Sequence, residues 1–129
     1  MLEGTEIVRV AQELARHSGT RQAEIARNVA NADTPGYRAR DVVPFAELYA
    51  EQTTLQARKT RDDHLSGAAD AGISARVVDS GTEASPNGNS VSLETEIMKA
   101  ADVQKDHGLA LAVYQSSLDL MRTAVGRGR

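Results

Sequence analysis

Between Leu93 and Val125 the chain places a core-type residue at alternating steps of four and three without interruption: Leu93, Ile97, Ala100, Gln104, His107, Leu111, Tyr114, Leu118, Met121 and Val125. A sustained 3.5-residue repeat keeps one stripe of a helix turned toward a partner in a left-handed coiled coil. About 33 residues of helix reach roughly 50 Å, and a rod of that length needs a neighbour to be stable. Ser92 stands as the N-cap, and Glu94 and Glu96 place carboxylates in the first turn, where the helix dipole favours them. Gly126 ends the helix, with Arg122, Arg127 and Arg129 complementing its C-terminal dipole. Gln104 and His107 at the centre of the seam predict a polar layer that sets register or partner number, ahead of any ligand-binding role. Gly108, with Ala101, Ala110 and Ala112, adds a small-residue surface that a further helix could approach closely.

A second helical pattern opens the chain. Ile7, Ala11, Leu14, Ser18, Gln22, Ile25 and Val29 are spaced to share one side of a helix, and Arg9, Glu13, Arg16, Glu24 and Arg27 fall on the other. Gly19 costs about 1 kcal/mol relative to alanine inside a helix, so residues 17–20 predict a kink or a break. The helix runs up to Asn31, a residue that tolerates the left-handed conformation, and meets Thr34-Pro35-Gly36-Tyr37. Pro35 fixes its own φ and drives Thr34 out of the helical region, while Gly36 supplies the positive φ of a type II turn. As turn chemistry alone this is a helix end of an ordinary kind.

The middle, residues 38–90, interrupts both patterns. Pro44 precedes Phe45-Ala46-Glu47-Leu48-Tyr49-Ala50-Glu51-Gln52, which has the spacing of a short amphipathic helix. Residues 73–79 alternate weakly and read as a short strand with no evident partner. Residues 82–90, with Ser85-Pro86-Asn87-Gly88-Asn89, are loop by composition.

Composition narrows the function. One Phe, three Tyr and no Trp in 129 residues leave few bulky walls for a pocket, so the core must come from Ala, Val, Leu and Ile along thin contacts. A net charge of −3, from 15 basic and 18 acidic residues, makes no electrostatic case for nucleic acid. The densest cluster, residues 58–63, neutralises itself and reads as a solvated loop rather than a phosphate site. Without cysteine there is no disulfide, thiolate zinc site or cysteine nucleophile. His17, His64 and His107 form no metal pair, and no nucleophile elbow, phosphate loop or zinc-protease motif occurs. No catalytic residue, cofactor, metal or small-molecule substrate is expected. No segment reaches the length of an apolar membrane span, and the N-terminus lacks the pattern of a cleaved secretory signal.

Taken as a whole string, Asn28, Ala30, Asn31, Thr34, Pro35, Gly36 and Tyr37 match the Asn-Xaa-Ala-Asn-Xaa-Xaa-Thr-Pro-Gly-Tyr element that closes the first helix of flagellar rod and hook axial proteins. The chain resembles that family. Ala39-Arg40-Asp41 followed by Phe45, residues 60–65, and Gly88-Asn89-Ser90-Val91-Ser92-Leu93-Glu94-Thr95-Glu96 look like further elements of its proximal-rod members. Ala112-Val113-Tyr114-Gln115 departs from the Arg-Xaa-Tyr-Glu ending of the other rod and hook proteins, which favours the proximal-rod branch.

The resemblance implies a mainly α fold: an elongated coiled-coil pair of N- and C-terminal helices around an irregular middle that holds a short helix and short strands. Residues 1–37 and 91–129 would form one axial domain, with 38–90 between them. It implies a structural subunit of the basal-body rod, assembling helically through its terminal helices and crossing the periplasm after type III export without a cleaved signal. The partners implied are further copies of itself, other rod proteins of the FlgC and FlgF type, the rod-base adaptor FliE and the membrane ring beneath. The alternatives are the sister proximal-rod protein FlgC and, outside the family, a helical adaptor. Long helices with so little aromatic core would draw most of their stability from neighbouring subunits.

Overall fold

The computed structural model describes residues 2–57 and 72–126, so the expectations placed on residues 58–71, Arg127 and Arg129 lie outside the described residues. The fold is mainly α. Helix α1, Leu2–Ala30, and helix α3, Leu93–Gly126, pack along one another and run antiparallel, the end of α1 meeting the start of α3. Between them come strand β1, Arg40–Val42, helix α2, Phe45–Ala57, and strand β2, Val77–Asp79. Pro44 sits just ahead of α2, where a missing N–H costs nothing, and its carbonyl accepts from Glu47 and Leu48. Phe45 lies edge-on to His17 of α1 and stacks with Tyr49, so two of the four Phe and Tyr rings meet beside α1.

The strand expected at residues 73–79 is confined to β2, and its partner is β1, which alternation did not reveal. They pair antiparallel, with Arg40 opposite Asp79, Asp41 opposite Val78 and Val42 opposite Val77. Three residues are too few to show a period, so β1 exists because of its pairing and its contact with α1.

Gly19 does not break α1, which is continuous through it. Open space surrounds the position, and the Ser18 and Thr20 hydroxyls donate back to the Leu14 and Arg16 carbonyls within the same ladder. The faces also differ from expectation. Glu13 and Glu24, placed on the solvent side by spacing, are buried, as is His17, whose Nε2 lies 2.7 Å from the Val43 carbonyl. The middle segment folds back over that side of α1. Ser18 and Asn28 are buried with Ala11 and Ile25, whereas Ile7, Gln22 and Val29 are exposed.

In α3 the fully buried positions run beside the expected stripe. The buried positions are Glu96, Val103, Ala110 and Ser117, seven residues apart. Of the expected stripe, Leu93, Ile97, Gln104, His107, Leu111 and Val125 are exposed, while Ala100, Tyr114, Leu118 and Met121 are half-buried along its border. Gln104 and His107 therefore need no polar layer against α1. The reason is chemical: the fully buried positions of α3 are one Val, one Ala, one Ser and one Glu, and a search for large apolar residues passes over them.

Candidate functional site: the helix junction

The segments singled out by sequence converge where α1 ends and α3 begins. The α1 ladder finishes with Asn31 N–H shared between the carbonyls of Arg27 at 3.2 Å and Asn28 at 3.1 Å. Asn31 does not adopt the left-handed conformation, since no non-glycine described residue has positive φ. It acts through its side chain instead: Nδ2 donates to the Arg27 carbonyl at 2.8 Å, and Oδ1 accepts from the Thr34 hydroxyl at 3.2 Å. The turn then closes with Tyr37 N–H on the Thr34 carbonyl at 3.2 Å and Gly36 at φ 75°. Pro35 and Ala30 are exposed.

A second glycine turn lies against the first. Gly88, at φ 83°, donates to the Ser85 carbonyl at 2.8 Å, and Gly36 N–H donates to the Asn87 carbonyl at 3.0 Å. A Cβ on Gly88 would stand 3.2 Å from the Gly36 Cα. Gly88 thus allows the close approach, while Gly36, around which there is open space, is required for its positive φ alone.

Two asparagines tie the turns to the helices. Asn89 is buried, its Nδ2 facing the carbonyls of Asn31, Ala32 and Thr34 at 2.9, 3.0 and 2.8 Å, while its Oδ1 accepts from Val91 N–H at 2.7 Å. It thereby gathers three carbonyls of the turn that follows α1 onto one amide group. Asn28 has no exposed surface. Its Nδ2 donates to the Arg40 carbonyl at 2.7 Å and to Glu96 Oε2 at 3.1 Å, and its Oδ1 accepts from Arg40 N–H at 3.0 Å and the Tyr37 hydroxyl at 3.3 Å. Ser90 completes the arrangement: its hydroxyl accepts from Ala39 N–H at 2.8 Å and its N–H donates to the Tyr37 carbonyl at 3.0 Å.

Charges continue the network along the helix pair. Glu96, 1% exposed, meets Lys99 at 3.3 Å; Lys99 meets Asp41 at 3.4 Å; and Asp41 takes two hydrogen bonds from Arg21, at 2.9 and 3.3 Å. Burial pushes the Asp41 carboxyl up, but the Arg21 hydrogen bond, the Val42 N–H and the nearby positive charges outweigh it and hold Asp41 below its ordinary value. The hydrogen bond to Asp41 likewise raises Arg21 against its own burial. At the exposed end of β2, the Gly81 N–H and Arg38 lower Asp79.

The structure thus brings Asn28, Asn31, Thr34, Gly36 and Tyr37 into one hydrogen-bonded unit. Sequence reading missed the roles of Arg21, Asp41, Asn89, Ser90, Glu96 and Lys99. The signal for Asn89, Ser90 and Glu96 lay in the element from Gly88 to Glu96, but nothing in its spacing tells that it closes on residues 28–37. Chemically, the arrangement satisfies buried backbone groups. Among the described residues, no group of three or more His, Cys, Asp or Glu is placed to hold a metal ion, and no helix is long and apolar enough to cross a membrane.

An antiparallel pair of terminal helices, closed by an asparagine-rich junction around a short middle segment, is a helical scaffold whose buried polar groups are spent on holding the chain together. No protein-family model matches the chain. Curated relatives match it almost from end to end: flagellar basal body rod protein FlgB of Salmonella typhimurium is 30% identical over 134 residues, covering 94% of each chain. FlgB of Agrobacterium fabrum is 26% identical over 130 residues, covering 98% of this chain and 97% of the relative, and FlgB of Bacillus subtilis is 29% identical over 110 residues, covering 84% of each. The chain belongs to the FlgB family of flagellar basal body rod proteins, a structural class, and the FlgC alternative is not favoured.

Proposed function

We propose that this chain builds the proximal rod of the flagellar basal body as a purely structural subunit, with residues 1–37 and 91–129 acting as one axial domain. The observation that carries the reading is the end-to-end match to FlgB proteins, reinforced by where that match becomes physical. The motif residues bond to one another and to backbone rather than lining a reaction site, so their work is to hold the helix pair in register. The stripe of Leu93, Ile97, Gln104, His107, Leu111, Leu118 and Val125 keeps a coiled-coil period on a face that α1 leaves largely open, which suits a helix of a neighbouring subunit. In this reading the chain crosses the periplasm after type III export without a cleaved signal. Its neighbours are further copies of itself, rod proteins of the FlgC and FlgF type, the adaptor FliE and the membrane ring.

Deleting the gene should abolish swimming in soft agar and leave basal bodies without a rod in electron micrographs, with both restored by the full chain in trans. Normal motility and intact rods in the deletion strain would overturn the reading.

A further inference from the structure

Asn87-Gly88 is the one Asn-Gly step in the chain; Asn28, Asn31 and Asn89 precede Val, Ala and Ser. Such a step carries a reaction of its own. Gly88 has no side chain to block approach, so its backbone nitrogen, once it has given its proton to water or hydroxide, can attack the Asn87 side-chain carbon Cγ. A bond forms from that nitrogen to Cγ, the bond from Cγ to Nδ2 breaks, and Nδ2 leaves as ammonia with a proton taken from water. The five-membered imide then adds one water at either ring carbonyl. One ring C–N bond breaks, a peptide N–H is restored, and the product is aspartate or an isoaspartate whose backbone runs through the side-chain carbon. The sum is amide plus water giving acid plus ammonia, with nothing oxidised or reduced.

The fold leaves this step in water and immobilises its parts. Ser85, Pro86 and Asn87 are exposed, so solvent reaches them. The peptide plane between Asn87 and Gly88 is pinned on both edges: its carbonyl accepts from Gly36 N–H at 3.0 Å, and its N–H donates to the Ser85 carbonyl at 2.8 Å. The Asn87 side chain is held as well, its Oδ1 accepting from Asn89 N–H at 3.0 Å. A peptide unit turns as one rigid plane, so bringing the face of the Gly88 nitrogen onto Cγ breaks both backbone bonds together. Two hydrogen bonds of ordinary net strength suppress the opened turn by roughly thirtyfold. Asn89, followed by the small Ser90, is buried with its amide on three carbonyls and serves as an internal reference.

We propose that Asn87 is a deamidation site gated by the fold: the paired glycine turns block the reaction in the folded chain, and a copy that stays unfolded is converted there. The conversion is irreversible. Isoaspartate adds a carbon to the backbone where a Cβ on Gly88 would already stand 3.2 Å from the Gly36 Cα. A converted copy loses the Gly36 to Asn87 bond, and with it the contact between the two turns at the helix junction.

The purified full chain is aged in mildly alkaline buffer with and without urea, and the tryptic peptide from Val77 to Lys99 is followed by mass spectrometry with fragmentation that distinguishes isoaspartate. Asn87 should convert in urea and roughly thirtyfold more slowly without it, with Asn89 far slower than Asn87 in urea. Gly36→Ala fits the open space around that glycine and strains only its φ of 75°, which loosens the turn. In plain buffer it should convert Asn87 severalfold faster than wild type, and in urea at the wild-type rate. Chain converted in urea and returned to buffer should have lost hydrogen-exchange protection at residues 36–37 and 88–90, while unconverted chain taken through urea regains it. Equal wild-type rates in buffer and urea would overturn the proposal. So would a Gly36→Ala chain that converts no faster than wild type in buffer, or a converted chain that regains full protection.

Discussion

The two ends of the helix pair are built on opposite principles. At the junction end, buried Asn28, Asn89, Ser90 and Glu96 are joined by hydrogen bonds to both helices and to the chain between them. At the open end the large side chains, Ile7, Leu120 and Val125, are exposed and a groove runs between the helices. Directional polar contacts fail when displaced by an ångström, so the junction sets axial register; apolar surface tolerates displacement and leaves the open end free to take a neighbour. Register within the subunit is set at one end, and at the other this chain leaves its own apolar surface uncovered.

The largest effect is expected at Asn28. Replacing it by alanine leaves the Arg40 N–H and carbonyl and a Glu96 oxygen without their partner in a buried site, a loss of about 3 kcal/mol. Hydrogen exchange on the purified chain should then show protection around residues 37–43 and 89–96 reduced roughly a hundredfold, with the middle of the helix pair changed far less. A uniform change along both helices would mean that the junction does not hold register independently of the rest.

How much of this was legible follows the same division. The turn was readable because Pro35 and Gly36 act locally, through φ alone, and Ser92 and Pro44 likewise marked helix starts by chemistry within a few residues. The 3.5-residue period of α3 was readable because it repeats. Its fully buried positions were not, because Glu96, Ala110 and Ser117 are small or polar, and Glu96 is buried by virtue of Asn28 and Lys99, partners that no local rule points to. The same cause hid the burial of Glu13 and Glu24, since periodicity knows nothing of a middle segment that returns across α1. Asn89 illustrates the limit: its three carbonyl partners lie 55 to 58 residues away.

A smaller effect sharpens the electrostatic part of the junction. Asp41 titrates below its ordinary value in the folded chain, so its ionised form stabilises the fold. That contribution is full above the unfolded carboxyl value of about 4 and is lost as pH falls through the lower folded value. Arg21→Met removes the two-pronged partner and should cost about 1 kcal/mol at pH 7. Urea midpoints measured from pH 7 downward should converge for wild type and variant as Asp41 protonates. A gap that stays constant into acid would show that Arg21 stabilises by packing rather than by its charge.

The smallest effect on the isolated chain is expected at the open end, and there it separates folding from association. Leu120 is 70% exposed, so Leu120→Ser should move the urea midpoint by no more than the equivalent of about 0.5 kcal/mol. If the groove is where a second copy seats, the same substitution removes apolar area that becomes buried only on assembly, at about 25 cal/mol per Å². Competition between tagged wild-type and Leu120→Ser chains for basal bodies in one cell should therefore favour wild type, while the two purified chains melt together. Equal incorporation would leave the open end as surface with no work to do, and a lowered melt would mean that it belongs to the subunit's own core.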